Sequence, residues 1–170
     1  MAKIYSFMER GRNMLAQKET YKTDISSVAK TFLSIEPMTH KKLQKLCYYA
    51  YAWHLTLFET PLFKEKFQAW VHGPVSPELY QQYKTHGWRE IPQLSDFSIA
   101  NEQSVIDIIE SVYASYGHLS GDELEILTHE EDPWLVARNG LPDHAPSQAT
   151  IEDEVITRFY NRIFEFGQND

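Results

Sequence analysis

Residues 42–55 read KLQKLCYYAYAWHL, and the fold turns on whether this run is an exposed amphipathic helix or a central one. With Leu43 at zero and about 100° per residue, Leu46, Cys47, Ala50, His54, Leu57 and Phe58 fall within about 60° of it. Trp53 and Tyr51 flank that stripe, and Tyr48 and Leu55 widen it. Only a narrow arc of Lys42, Lys45, Tyr49, Ala52 and Thr56 reads as polar. A helix apolar over so much of its circumference belongs at the centre of a fold, with neighbours on several sides. Thr39 reads as its N-cap, with Met38 and Leu43 spaced as a hydrophobic staple.

Working outward, helix punctuation organises the chain. Upstream, Ile25, Val28, Ala29, Phe32 and Leu33 recur at helical spacing behind Thr23 or Asp24, and Pro37 marks the stop. Residues 3–16 carry Ile4, Phe7, Met8, Met14 and Leu15 on one side, interrupted by Gly11. Downstream, FQAWV at 67–71 reads as a short β segment bounded by Gly73-Pro74. Ser76-Pro77-Glu78 is a helix start, hydroxyl cap then proline in the first turn, and Gly87 is its end. The segment WREIPQLSDFSIANEQ reads as a surface loop. From Ser104 a helical period runs to Tyr116, with Gly117 as a left-handed terminator. In HLSGDELEIL, Ser120 and Glu123 form a capping box and Leu119 and Leu124 its staple, and the helix is expected to run to Pro133. Thr150 is expected to cap a last helix carrying Ile156, Phe159, Ile163 and Phe166. The expected fold is mainly α, a compact single-domain bundle of about six or seven helices with one short β segment.

Composition narrows the functional classes. The 170 residues suit one domain and include one cysteine, Cys47, which can form no internal disulfide. No signal-peptide pattern and no run of about 18 apolar residues is present, so a cytoplasmic protein with no membrane partner is expected. Residues 1–45 hold nine Lys and Arg against four acids, net +5, and residues 46–170 hold seven against twenty, net −13. Most of such a surface repels nucleic acid and attracts a basic protein. DNA binding through the basic first 45 residues is a third alternative, and a nucleic-acid partner is not expected.

Catalytic patterns are sparse. Cys47 and His54 lie roughly 10 Å apart along one helix and on its core stripe, too far for joint chemistry. His129 and Glu130 lack the second histidine of HExxH, and no CxxC or GxSxG occurs. A metal-dependent hydrolase centred on His129 and Glu130, with Arg138 nearby, is retained as an alternative; no enzyme activity, cofactor or metal is expected. Tyr49, on the polar arc with Lys42 and Lys45, reads as an outward partner contact.

Taken together, MTHKKLQKLCYYAYAWHL (38–55), PLFKEKFQAWVHGPVSPELYQQYKTHG (61–87), YGHLSGDELEILTHEEDPWLVAR (116–138) and the acidic closing helix resemble the Panacea, or SocA-like, antitoxin domain, which also occurs in prophage-encoded proteins. The combination of KLQKL, FxAWxxGPVxPELY and LTHxExPWxxAR is specific, although His40 and Cys47 stand where Asn or Leu is more usual. The resemblance implies a helical, non-enzymatic antitoxin that binds and neutralises a protein toxin encoded by a neighbouring gene. An alternative it implies is a proteolytic adaptor delivering that toxin to a protease, with a protease or chaperone as further partner. It leaves residues 1–22 as a basic N-terminal extension and 23–170 as the family-like domain. Phe7, Arg10, Arg12 and Met14 in that extension, with Lys42, Lys45, Tyr49, Trp70 and His72 in the domain, are the expected partner-binding residues.

Overall fold

The computed structural model describes residues 21–95 and 102–169. The expected first helix, with Phe7, Arg10, Arg12 and Met14, lies outside the described residues. Seven α-helices appear among those described: α1 (Ile25–Ile35), α2 (His40–Phe58), α3 (Pro77–Tyr83), α4 (Gln103–Tyr116), α5 (Gly121–His129), α6 (Asp132–Arg138) and α7 (Asp153–Gln168). Four short strands accompany them: β1 (Met38–Thr39), β2 (Gln68–Trp70), β3 (Gly73–Val75) and β4 (Glu90–Ile91). The architecture is mainly α with two small antiparallel ribbons, β1 with β4 and β2 with β3.

Local chemistry sets the helix starts. Asp24 accepts from the Ser27 amide at 2.8 Å, Thr39 from Lys42 at 3.2 Å and Ser76 from Leu79 at 3.3 Å. Each satisfies a donor that the first turn leaves unpaired. At α5 the box is reciprocal: the Glu123 amide donates to Ser120 Oγ at 3.1 Å, and the Ser120 amide donates to Glu123 Oε2 at 2.7 Å. Helix α2 ends at Glu59, whose φ of 58° turns the chain into the left-handed region.

Helix α2 is the centre of the molecule. It packs against α1, α4, α5, α7 and β3, and 16 of its 19 residues are buried. The packing is aromatic: its own Tyr48, Tyr51 and Trp53 and, from other segments, Phe32, Phe63, Phe67, Tyr160 and Phe164 are all fully buried. The expected polar arc therefore needs correction. Lys45, Tyr49, Ala52 and Thr56 are buried, and Lys42 is largely covered. Polar side chains there meet polar partners inside the fold. Tyr49 donates to Glu131 at 2.9 Å, Thr56 to the Ala52 carbonyl at 2.7 Å, and Lys45 to the Pro74 carbonyl at 3.3 Å.

Four further expectations give way, three to tertiary pairing and one to local crowding. Gly73-Pro74 does not merely bound a strand; it forms the return strand β3, with Trp70 opposite Gly73 and Gln68 opposite Val75. Residues 149–151 run extended along the other edge of β2, with the Ala69 amide donating to Ala149 O and the Ile151 amide to Phe67 O. That pairing delays α7 until Asp153, so Thr150 is not its cap. Within the expected surface loop, Glu90 and Ile91 pair with Thr39 and Met38, and Ile91 is buried. Gly117 has φ −64°, not a left-handed one; it is needed because a Cβ there would lie 2.5 Å from Tyr113 O and 2.7 Å from its ring.

Helix α5 stops at His129 rather than running on to Pro133. Pro133 sits in the first turn of α6, where its missing N–H costs nothing. The intervening turn points the Glu131 side chain into the core, where it accepts from Tyr49 and, at 2.5 Å, from Tyr160.

Candidate partner-binding cleft

A cleft of about 670 Å³ opens where the first turn of α2, the tip of the β2–β3 hairpin, α3 with its 3-10 extension Lys84–His86, and the start of α5 converge. Trp70, Tyr80 and Trp88 form its aromatic wall, and His40, Gln44 and Lys45 contribute from α2. Trp70 meets Tyr80 edge-on at 5.0 Å, and His40 stacks on Tyr80 at 5.5 Å. Trp88 is 76% exposed. Its contacts are the Lys41 ammonium 5.3 Å from its centroid and the His72 ring at 6.1 Å.

Gln44 anchors the hairpin to α2. Ser76 N–H donates to its Oε1 at 2.9 Å, and its Nε2 donates to Ser76 O at 3.2 Å. Because the amide nitrogen can only donate, its 3.2 Å approach to His40 Nε2 makes that ring nitrogen an acceptor. His40 is accordingly neutral: burial, then the nearby charges of Lys45 and His86, lowers its pKa to about 4.

Lys45 is the unusual group. It is 1% exposed, and its ammonium makes one hydrogen bond, to Pro74 O. Burial lowers its pKa to about 7, with Lys41 pushing the same way and Glu125 opposing. Lys41 itself is well paired, at 2.8 Å from Asp122 and 2.5 Å from Glu125. Burial alone would lower its pKa, but those two hydrogen bonds leave it raised. Glu125 also accepts from His72 at 3.0 Å.

Gly73 packs directly on the Lys45 side chain. Its φ is +102°, and a Cβ there would sit 2.5 Å from Lys45 Cε and 2.9 Å from Thr128 Oγ1. Gly73→Ala should therefore cost about 2 kcal/mol or more through backbone strain and displacement of Lys45. Urea unfolding measures it; a loss within about 0.5 kcal/mol would contradict this packing.

The expected partner-binding residues do not share one surface. Lys45, Trp70 and His72 meet at the cleft, Lys45 from beneath it. Lys42 lies elsewhere, bonded to Glu36 and to Gly117 O, each at 2.7 Å, and Tyr49 faces Glu131 in the core. Sequence reasoning missed Trp88, Tyr80, Gln44 and Lys41. The available signal was Trp88 itself, a large aromatic inside a polar loop segment.

The chemical candidates resolve differently. Cys47 is buried, and burial pushes its thiol pKa far up. The His54 ring bonds the Thr60 carbonyl at 2.9 Å, and burial lowers its pKa to about 4. His129 stacks on Trp134 at 3.9 Å, the Arg138 guanidinium lies 4.6 Å from the same ring, and Glu130 is exposed. Among the described residues no group of three or more His, Cys, Asp or Glu is arranged to hold a metal.

The family model described as antitoxin SocA-like, Panacea domain, matches residues 43–135, which run from α2 through the hairpin to the start of α6. The chain is 30% identical over 132 residues to Antitoxin SocA of Caulobacter vibrioides (strain NA1000 / CB15N), covering 71% of this chain and 70% of that protein. No solved structure matches. The matched region holds the buried α2, the hairpin with Gly73 and most of the cleft, and the chain therefore belongs to the antitoxin SocA-like, Panacea domain family.

Proposed function

We propose that this chain is a non-enzymatic antitoxin that neutralises a protein toxin, encoded by a neighbouring gene, by binding it directly. The observation that carries this reading is the match to Antitoxin SocA over about seven-tenths of both chains. The site geometry supports it. The chemically able side chains Cys47 and His54 are packed in the core, whereas the cleft offers an exposed aromatic of the kind that dominates protein interfaces. Its setting is the cytoplasm, where the lone thiol of Cys47 stays reduced.

Co-expression with the product of the adjacent gene tests this. Growth should be rescued, and the two proteins should co-purify from cells lacking the major cytoplasmic proteases. Rescue that disappears in those cells would favour the proteolytic-adaptor alternative, and no rescue in either background would exclude both. Residues 1–22, with Phe7, Arg10, Arg12 and Met14, are proposed as an added partner-contacting arm on a 23–170 domain. Deleting them should weaken neutralisation while thermal unfolding stays nearly unchanged; a collapse in stability would make them part of the core instead.

A further inference from the structure

Three features of the cleft point to the chemistry of what enters it. The first is charge. Residues 46–170 carry net −13, yet Asp122 is the one acid lining the cleft. Asp122 and its neighbour Glu125 are already engaged with Lys41. Lys45 and Lys84 also line the cleft, and among the described residues neither is in direct ion-pair contact with a carboxylate, Glu125 acting on Lys45 only at longer range; the Lys84 ammonium donates to Gln81 at 2.6 Å. The second is the state of Lys45. An ammonium has three N–H donors, and here one of them meets a single carbonyl at 3.3 Å. Buried cations are normally paired or fully hydrogen-bonded. Arg138, the other buried cation, reaches four carbonyls. Lys45 is thus underused by the fold that buries it. Gly73 packs directly against its side chain, with no room there for a Cβ, while Lys45 itself is among the residues that line the cleft. The third is Trp88, 76% exposed and held over the rim by Lys41 and His72 rather than by the core.

We propose that this cleft is the docking site for an extended acidic segment of the toxin, which lays an aromatic or aliphatic side chain against Trp88 and Tyr80 and brings a carboxylate toward Lys45 and Lys84. This rests on the reading of the chain as a toxin-binding antitoxin. The charge pattern gives selectivity as well as attraction. An acidic segment is repelled by most of this surface and welcomed at one place, so docking elsewhere is disfavoured.

The test measures affinity for the purified toxin by calorimetry, beside thermal unfolding, for the wild-type chain and three variants. Trp88→Ala should weaken binding about 30-fold, and Lys84→Glu about tenfold, both on exposed side chains and with unfolding unchanged. Lys45→Met should weaken binding about tenfold while leaving the melting temperature equal or higher, because it removes a poorly satisfied buried charge. A binding loss paired with a stability gain is a result that a merely structural lysine does not give. Synthetic peptides tiling the toxin identify the segment: those that compete should contain Asp or Glu, and their Asn or Gln counterparts should not compete.

Binding within about twofold of wild type for all three variants would overturn the cleft while leaving the antitoxin reading intact. Competition that survives amidation would overturn the acidic part. Absence of any binding or neutralisation by the wild-type chain would overturn the antitoxin reading itself, and the cleft proposal with it.

Discussion

Arg138→Met should lower the unfolding free energy by about 2–4 kcal/mol, and Arg138→Lys should recover less than half of that. The guanidinium donates to Ala69 O at 3.1 Å from one nitrogen, and to Pro142, Asp143 and Ala145 carbonyls at 2.7, 3.3 and 2.6 Å from another. It also covers the Trp134 ring. Arg138 thereby ties β2 to the 139–147 segment and to α6. Ala69 O is buried and would be stranded, while the other three carbonyls are partly buried and can recover water if the segment lifts away. Relief of the guanidinium's own desolvation offsets part of the loss. Both effects hold the estimate below the sum of four bonds. A lysine offers a point charge without the planar fork, which is why it should rescue poorly. Urea titration gives the stability, and amide exchange should show 139–147 opening first. A loss under about 1 kcal/mol would mean that the fork is decorative.

The second large effect is a pH dependence of unusual sign. Glu131 is buried, and burial raises its pKa to about 7, against the hydrogen bonds from Tyr160 and Tyr49 that pull it down and with a small push from Glu130. Its ordinary value is 4.5. Between those two pH values the folded chain holds a proton that the unfolded chain releases. The Glu131 contribution is therefore fully present below about pH 4.5, falls as pH rises, and is gone above about pH 7. The span corresponds to roughly 3 kcal/mol. Carboxylates such as Glu125, whose pKa is lowered despite burial by its hydrogen bonds to Lys41 and His72, act in the opposite sense.

Glu131→Gln isolates the buried group. The amide can accept from one tyrosine hydroxyl and donate to the oxygen of the other, so the bonding survives without the titration. The stability of wild type minus that of Glu131→Gln should fall by about 2–3 kcal/mol between roughly pH 5 and pH 7.5. A difference that stays level across that range would show that Glu131 is ionised in the fold throughout.

These two residues also mark where sequence reading succeeds and stops. Helix starts at Asp24, Thr39, Ser76 and Ser120 are legible because the capping side chain and the donor it satisfies lie three residues apart. The central place of α2 is legible from its wide apolar arc. What fails is anything decided by a distant segment. Tyr49 looks outward until Glu131, 82 residues later, is turned in to meet it. Thr150 looks like a cap until β2 claims its segment as an edge. The cleft is half legible: Trp70 and His72 stand out in the sequence, but Trp88 reaches it only because Glu90 and Ile91 pair back onto Thr39 and Met38.

The central claim, a chain that acts by holding its toxin rather than by transforming anything, meets its most direct test in a titration. A fixed amount of the toxin's activity is measured against increasing amounts of the purified chain, with no protease present. The account predicts a linear fall to zero at a fixed molar ratio, with activity returning when the complex is separated under denaturing conditions and the toxin refolded. Toxin activity that persists in excess chain, or that is abolished by amounts far below equivalence, would contradict it.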